Sequence, residues 1–170
     1  SELCLGWCTY NGDQMSMYST NSSIPKTMVK YLCKGYALIN KEISSTLLDI
    51  VDTPISPELI PGKEDKIAQK TEDIIGPYFL HDFIIYHFLS YAFSPKKLYF
   101  ILTKVFKDDL SEEEILKWLK VFFRRFFQNQ FKRVATPDGI KISKISISKK
   151  DLSLPSDISS RLFLEELETI

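Results

Sequence analysis

Apolar residues recur at helical spacing through most of this chain. Met28 and Leu32, with Val29, Cys33 and Tyr36 offset from them, form an apolar stripe. It predicts a helix opening at Ser23-Ile24-Pro25-Lys26-Thr27, where a Ser or Thr cap meets a proline in the first turn. Ile43 to Val51 predicts a second, short helix. Tyr78 to Phe93 is dense in rings and aliphatics on all sides, the mark of a buried helix. Ser94-Pro95 predicts a capped start for the next, with Leu98, Ile101, Leu102 and Val105 as its stripe. Ser111-Glu112-Glu113-Glu114 is a capping box with three acids at the positive end of the dipole. That helix is predicted to run to about Lys132, with Leu116, Leu119, Phe123, Phe126 and Phe127 as a broad apolar face. Ser159 to Glu168 predicts a last helix.

The remaining segments lack that period. Glu2 to Asp13 reads as a short apolar element running into a turn, and the chain looks cut from something longer. Asp52 to Gly62 holds three prolines and a glycine and is read as an ordered loop. Lys63 to Gly76 is polar, a loop with a turn of helix. Thr136-Pro137-Asp138-Gly139 is a turn signature. Alternation appears in Ile140-Lys141-Ile142 and again, after a slip, in Ile145-Ser146-Ile147, giving a short strand or an irregular arm.

Composition narrows the class. At 170 residues, with 44% apolar and 26% charged residues, the chain suits one folded domain. Twelve Phe, eight Tyr and two Trp supply a sizeable core. No apolar run approaches the roughly 20 residues of a membrane span, and no secretory signal pattern is present. Cys4, Cys8 and Cys33 lack zinc spacing and are read as buried or semi-buried thiols of a reducing compartment.

The net charge is zero, yet it is segregated. Residues 108–116 carry five acids and no base, and residues 117–150 carry ten bases against Asp138 alone. Such a stretch invites an anionic ligand without saying which. Lys117, Lys120, Arg124, Arg125, Lys132 and Arg133 interleave with Trp118, Phe122, Phe123, Phe126, Phe127 and Phe131. A core stripe with solvated bases, a small phosphate ligand and a nucleic acid all fit that pattern, the last least well. His81 and His87 lie about 120° apart around a helix and cannot chelate one metal from it. They are read as buried or capping. No Ser-His-Asp set, Cys-His pair or glycine-rich phosphate loop is visible.

Several stretches together carry a resemblance. They are Ser1-Glu2-Leu3-Cys4-Leu5-Gly6-Trp7-Cys8-Thr9-Tyr10, Gly12-Asp13-Gln14-Met15-Ser16, Ile24-Pro25-Lys26-Thr27 and Ser56-Pro57-Glu58-Leu59-Ile60-Pro61. Leu80-His81-Asp82-Phe83, Tyr91-Ala92-Phe93-Ser94-Pro95-Lys96, Gln130-Phe131-Lys132-Arg133, Pro137-Asp138-Gly139 and Pro155-Ser156-Asp157 follow in order. In that combination the chain resembles the glutamine-dependent NAD+ synthetases, in the C-terminal part of their synthetase region. The resemblance implies a mainly helical C-terminal portion, residues 1–170, of an α/β adenine-nucleotide α-hydrolase-like (ATP-pyrophosphatase) domain. The glutaminase domain and the phosphate loop are not in this sequence, so the 170 residues alone are expected to be inactive. The activity implied is that of a carbon–nitrogen ligase of NAD biosynthesis. Deamido-NAD+ is adenylated by ATP with Mg2+, and ammonia from the glutaminase then displaces AMP.

The same resemblance assigns roles. Glu2 matches an acid near Mg2+ and the dinucleotide. Trp7, Cys8, Thr9 and Tyr10 match a segment lying along deamido-NAD+, and Lys132 matches a lysine near it. Lys26 matches a lysine on the ATP phosphates, and Ser56 a hydroxyl that contacts ATP. A helix-cap acid, a strand end, a turn serine and a solvated helix-end lysine are the plain readings of Glu2, residues 7–10, Ser56 and Lys132. Arg133, about 100° round a continuing helix from Lys132, is expected to matter less. The short ammonia-dependent relatives carry a histidine at position 131, a lysine at position 10 and acids where Gln14 to Met17 stand here, so the likeness is to the long branch. The resemblance further implies a cytoplasmic homodimer or higher homo-oligomer with no nucleic-acid or membrane partner. The rival reading is a non-catalytic helical oligomerisation or interaction module.

Overall fold

A computed structural model describes residues 1–12, 17–55 and 71–170. Its helices are α1 (Glu2–Leu5), α2 (Lys26–Ile39), α3 (Ser44–Asp52), α4 (Thr71–Ile75), α5 (Tyr78–Tyr91), α6 (Pro95–Val105), α7 (Glu112–Gln128), α8 (Gln130–Val134) and α9 (Arg161–Leu167), with a 3-10 turn at Lys41–Ile43. The chain is mainly helical, as expected. Among the described residues there is no strand, and one isolated parallel bridge joins Ser19 to Gly139. None of the described helices is long and apolar enough to cross a membrane.

Helix α7 is the axis of the core. Its capping box forms: Ser111 Oγ accepts from Glu114 N, and the Glu114 carboxylate accepts from Ser111 N. Ile115, Leu119, Phe122, Phe123 and Phe126 are fully buried along one side. Helices α1, α4, α6, α8 and α9 all pack on it. From α5, Phe88 stands edge-on to Phe123 at 5.4 Å and to Phe126 at 5.6 Å, the arrangement favoured by ring quadrupoles. Burying each such ring contributes about 1.5–3 kcal/mol. The Ser94 cap and Pro95 start of α6 are present as the sequence predicts, and Leu98 and Leu102 are buried. Ile101 is half-buried, but Val105 is exposed, because α6 ends there.

Several expectations are corrected. The long helix does not reach Lys132. It ends at Gln128, and Asn129, at φ −101° and ψ 15°, separates α7 from α8. There the Asn129 side chain donates to the Arg125 carbonyl at 2.9 Å and fills the space over Gly6. The N-terminal apolar element is helical and closes at Gly6 with φ +61°. A Cβ on Gly6 would fall 2.1 Å from Asn129 Cγ, so this turn accepts no side chain.

Pro25 itself occupies the cap position of α2 and has no acceptor side chain. Ser23 faces elsewhere, donating to the Ile140 carbonyl and accepting from Ile142 N, both at 2.9 Å. These bonds pin residues 140–142 as an irregular arm instead of a strand. The stripe of α2 divides. Val29 and Cys33 are half-buried and Ala37 is buried, whereas Met28, Leu32 and Tyr36 are exposed. Helix α5 buries Leu80, His81, Asp82, Ile84 and Ile85, yet leaves Phe79, Tyr86 and Tyr91 at the surface. Of the loop expected over 52–62, residues 56–62 lie outside the described residues.

Candidate functional site

The first ten residues form the centre of the candidate site, and cations from the far end of the sequence hold them. Helix α1 is a single turn, and its carbonyls have few partners within the helix. Arg133, 1% exposed, donates to the Leu3 and Cys4 carbonyls at 3.1 and 3.0 Å. It also donates to the Phe126 carbonyl and, at 2.9 Å, to Gln130 Oε1. Arg125 donates to the Leu5 carbonyl at 2.8 Å, with its guanidinium 5.0 Å over the Trp7 ring. Lys132 donates to the carbonyls of Gly6 at 2.9 Å and Cys8 at 2.7 Å. Burial lowers the pKa of both arginines, and a guanidinium keeps its charge in proteins.

The break at Asn129 explains why Lys132 and Arg133 act together. Each reaches a different stretch of the same backbone, so Arg133 is the more buried member of a pair. It is not a bystander on a continuing helix. Lys132 spends two of its three N–H bonds on carbonyls and has no carboxylate partner among the described residues.

At the other end of α1, Glu2 Oε1 meets Lys26 Nζ at 2.8 Å. The side chains are 44% and 30% exposed, so the pair contributes at most about 1 kcal/mol to stability. Its consequence is electrostatic. Lys26 is the first residue of α2, where the dipole disfavours a cation, and Glu2 offsets that charge. Lys26 also lines an open cleft of about 690 Å³ with Lys30, Tyr78, Glu72 and Trp118. Burial raises the pKa of the Tyr78 hydroxyl, which keeps it neutral. Six residues separate Glu2 from Cys8, at most about 20 Å of extended chain, so the two ends belong to one region.

The sequence-derived site residues fall into three groups. Glu2 and Lys26 are in contact, and Lys132 touches the backbone of Gly6 and Cys8. Trp7 and Cys8 are half-buried, while Thr9 and Tyr10 are exposed. The Tyr10 ring lies 5.6 Å from that of Phe131, so two of the positions that depart from the short relatives touch. Ser56 lies outside the described residues. No group of three or more metal-ligating side chains occurs among the described residues.

His81 is fully buried. Its Nε2 donates to the Ile75 carbonyl at 2.6 Å, and burial lowers its pKa to about 4. It is a structural histidine, as the sequence suggested. His87 is half-buried, with Nδ1 donating to the Phe83 carbonyl at 2.9 Å. Cys4 is buried, and Cys8 and Cys33 are half-buried.

Sequence reasoning gives no site role to Asp82, Arg125 or Arg133. An arginine pair inside a phenylalanine-rich face is a usable signal, because burying a guanidinium demands several acceptors. Asp82 carries a similar signal, a lone acid in an otherwise apolar helix.

No protein-family model matches the chain. A glutamine-dependent NAD(+) synthetase of Mycobacterium leprae is 37% identical over 99% of this chain and 28% of its own length. One from Mycobacterium tuberculosis (strain ATCC 25618 / H37Rv) is 35% identical over the same shares. One from Synechocystis is 27% identical over 84% of this chain and 22% of its own length. In fold, the crystal structure of a glutamine-dependent NAD(+) synthetase from Cytophaga hutchinsonii matches with a TM-score of 0.70 at 18% identity. That match covers 99% of this chain and 24% of the other. Sequence likeness from end to end, together with this helical fold, places the chain in the glutamine-dependent NAD(+) synthetase family, as a stretch spanning a little over a quarter of the length of the mycobacterial relatives.

Proposed function

We propose that this stretch is the C-terminal part of the synthetase unit of a glutamine-hydrolysing NAD+ synthetase. It supplies the deamido-NAD+ side and part of the ATP side of the active site. The nicotinate carboxylate of deamido-NAD+ attacks the α-phosphorus of ATP, and pyrophosphate leaves. Ammonia from a glutaminase domain then attacks the acyl carbon, and AMP leaves with NAD+ formed. The enzyme works in the cytoplasm.

The observation that carries this reading is that Lys26, which lines the cleft, is paired with Glu2, in a chain alike from end to end to the mycobacterial synthetases. Lys26 holds an ATP phosphate as a charge-assisted donor. Glu2 keeps the ammonium at the cleft before the nucleotide arrives. Its second oxygen and half-exposed position suit a Mg2+ ion that takes one protein carboxylate and completes its shell with phosphate and water. When bound, Mg2+ neutralises charge developing on the leaving pyrophosphate. Lys132 turns its remaining N–H toward the anionic dinucleotide. Trp7, Cys8, Thr9 and Tyr10 line the dinucleotide's path with one stiffened backbone and two aromatic faces, and Ser56 contacts ATP.

Exposed Tyr31, Leu38 and Ile39 on α2 and Ile50 on α3 support association with a second copy. Single-turnover release of pyrophosphate by the full-length synthetase tests the site. Lys26→Ala is expected to slow it about 10- to 100-fold, the value of a charge-assisted contact. An unchanged rate and ATP affinity would take Lys26 out of the site.

A further inference from the structure

Lys26 stands on a helix start that its own sequence does not cap. Pro25 fills the cap position and offers no acceptor. The free N–H groups of Lys26 and Thr27 are met from two other places in the chain. Lys26 N donates to Ser1 Oγ at 2.7 Å. Thr27 N and Thr27 Oγ1 donate to Asp82 Oδ2 at 2.9 and 2.6 Å. Ser1 Oγ in turn donates to Asp82 Oδ1. One carboxylate, projecting from α5 and 8% exposed, therefore holds both of the first residues of α2. It grips Thr27 directly and Lys26 through Ser1.

Asp82 forms no ion pair among the described residues. A buried carboxylate without a cation is costly unless hydrogen bonds and a dipole offset the charge. Here three donors and the positive end of the 14-residue α2 do so. A helix cap needs only one acceptor, and Ser or Thr next to the helix would provide it. A buried acid reaching from 55 residues away fixes α2 against α5 as well as ending it. The first residue of that helix, held through Ser1, is the one whose ammonium lines the cleft.

We propose that Asp82 is a positioning residue for Lys26, setting the main-chain position from which the Lys26 ammonium reaches the ATP phosphates. The proposal rests on the assignment of Lys26 to the phosphates made above. Asp82 does not touch substrate. It acts by fixing the base of a side chain with four rotatable bonds, where a displacement of about 1 Å costs much of the alignment catalysis needs.

The test is a double-mutant cycle on the full-length synthetase that carries this stretch, read by single-turnover pyrophosphate release. Asp82→Asn keeps the volume but replaces one of two acceptor oxygens with a donor. It is expected to slow release about 10- to 100-fold, with the Kd for deamido-NAD+ within about twofold of wild type. Lys26→Met removes the ammonium. If Asp82 works through Lys26, the double variant loses no more than Lys26→Met alone. A purely structural Asp82 would give independent, multiplying losses. Multiplying losses, or a wild-type rate in Asp82→Asn beside an impaired Lys26→Met, overturn the proposal. A wild-type rate in Lys26→Met overturns instead the assignment of Lys26, and the two failures are thereby distinct. Should Asp82→Asn not fold, Thr27→Val removes one donor to the same oxygen at equal size. A smaller loss, absent in the Lys26→Met background, is then expected, and a loss that persists there overturns the proposal.

Discussion

The ammonium of Lys132 lies 2.7 Å from the carbonyl oxygen of Cys8, on a residue 124 positions earlier in the chain. It shapes the very turn that the dinucleotide is proposed to follow. Lys132→Ala in the full-length synthetase is therefore expected to raise the Michaelis constant for deamido-NAD+ about 10-fold or more, from one lost charged hydrogen bond. The constant for ATP should stay near wild type. Equal effects on both substrates, measured by steady-state kinetics, would return Lys132 to a purely structural role.

Arg133→Ala should behave differently. It strips partners from the carbonyls of Leu3, Cys4 and Phe126 in the core. A loss of about 3 kcal/mol or more in unfolding free energy is expected, visible as a large drop in the urea midpoint. Lys132→Ala, half-exposed, should move that midpoint little. If the two variants lose similar stability, the division of labour between the neighbours is wrong.

Gly6 provides a steric test of the same turn. Gly6→Ala places a methyl group against Asn129 at a φ that favours glycine, and should cost about 1–3 kcal/mol. Asn129→Gly in the same molecule removes the clashing side chain and should recover part of the loss. No recovery would mean that backbone strain alone sets the cost.

Stability should fall with acid through His81. Burial lowers its pKa from the usual 6.5 to about 4, so the unfolded chain binds a proton between these values and the folded chain does not. Stability is therefore full above about pH 6.5 and declines as the pH drops toward 4, by on the order of 3 kcal/mol in total. His81→Gln keeps an N–H for the Ile75 carbonyl and does not titrate in this range. Urea midpoints at pH 7.5 and pH 5 should differ less in that variant than in wild type. An identical pH dependence would remove His81 as the source.

Thiol chemistry offers a further check. Burial raises the pKa of Cys4, and its side chain is inaccessible. At pH 8 it should react with a thiol reagent far more slowly than Cys33, at a rate limited by opening of the fold. Mass mapping of the labelled protein decides this, and equal rates at Cys4 and Cys33 would show that α1 opens readily.

Where local chemistry sets an element, it was readable in the sequence. The Ser111–Glu114 box and the Ser94-Pro95 start need only neighbouring residues, and both are present. The start of α2 falls where the sequence predicts it, but its capping acceptors are Asp82 and Ser1, which no window around Pro25 contains. The end of α7 was misread for a related reason. Asn129 breaks a run whose apolar period continues, since its side chain is committed to the Arg125 carbonyl and to the space over Gly6. The candidate site was legible only as separate pieces: Lys26 and Lys132 stand out through the resemblance, one residue at a time. That Lys26 meets Glu2 at one end of α1 depends on a contact across 24 residues, and that three cations hold the other end depends on contacts across 120 to 130.

Those distant contacts also impose an order on synthesis. The carbonyls of Leu3 and Cys4 wait for a guanidinium 130 and 129 residues downstream. At about 5–20 residues per second, a ribosome takes roughly 6 to 25 s to bridge that interval. Until Arg133 emerges, those two carbonyls lack their guanidinium donor, and a nascent chain paused before it would present that segment to chaperones and proteases.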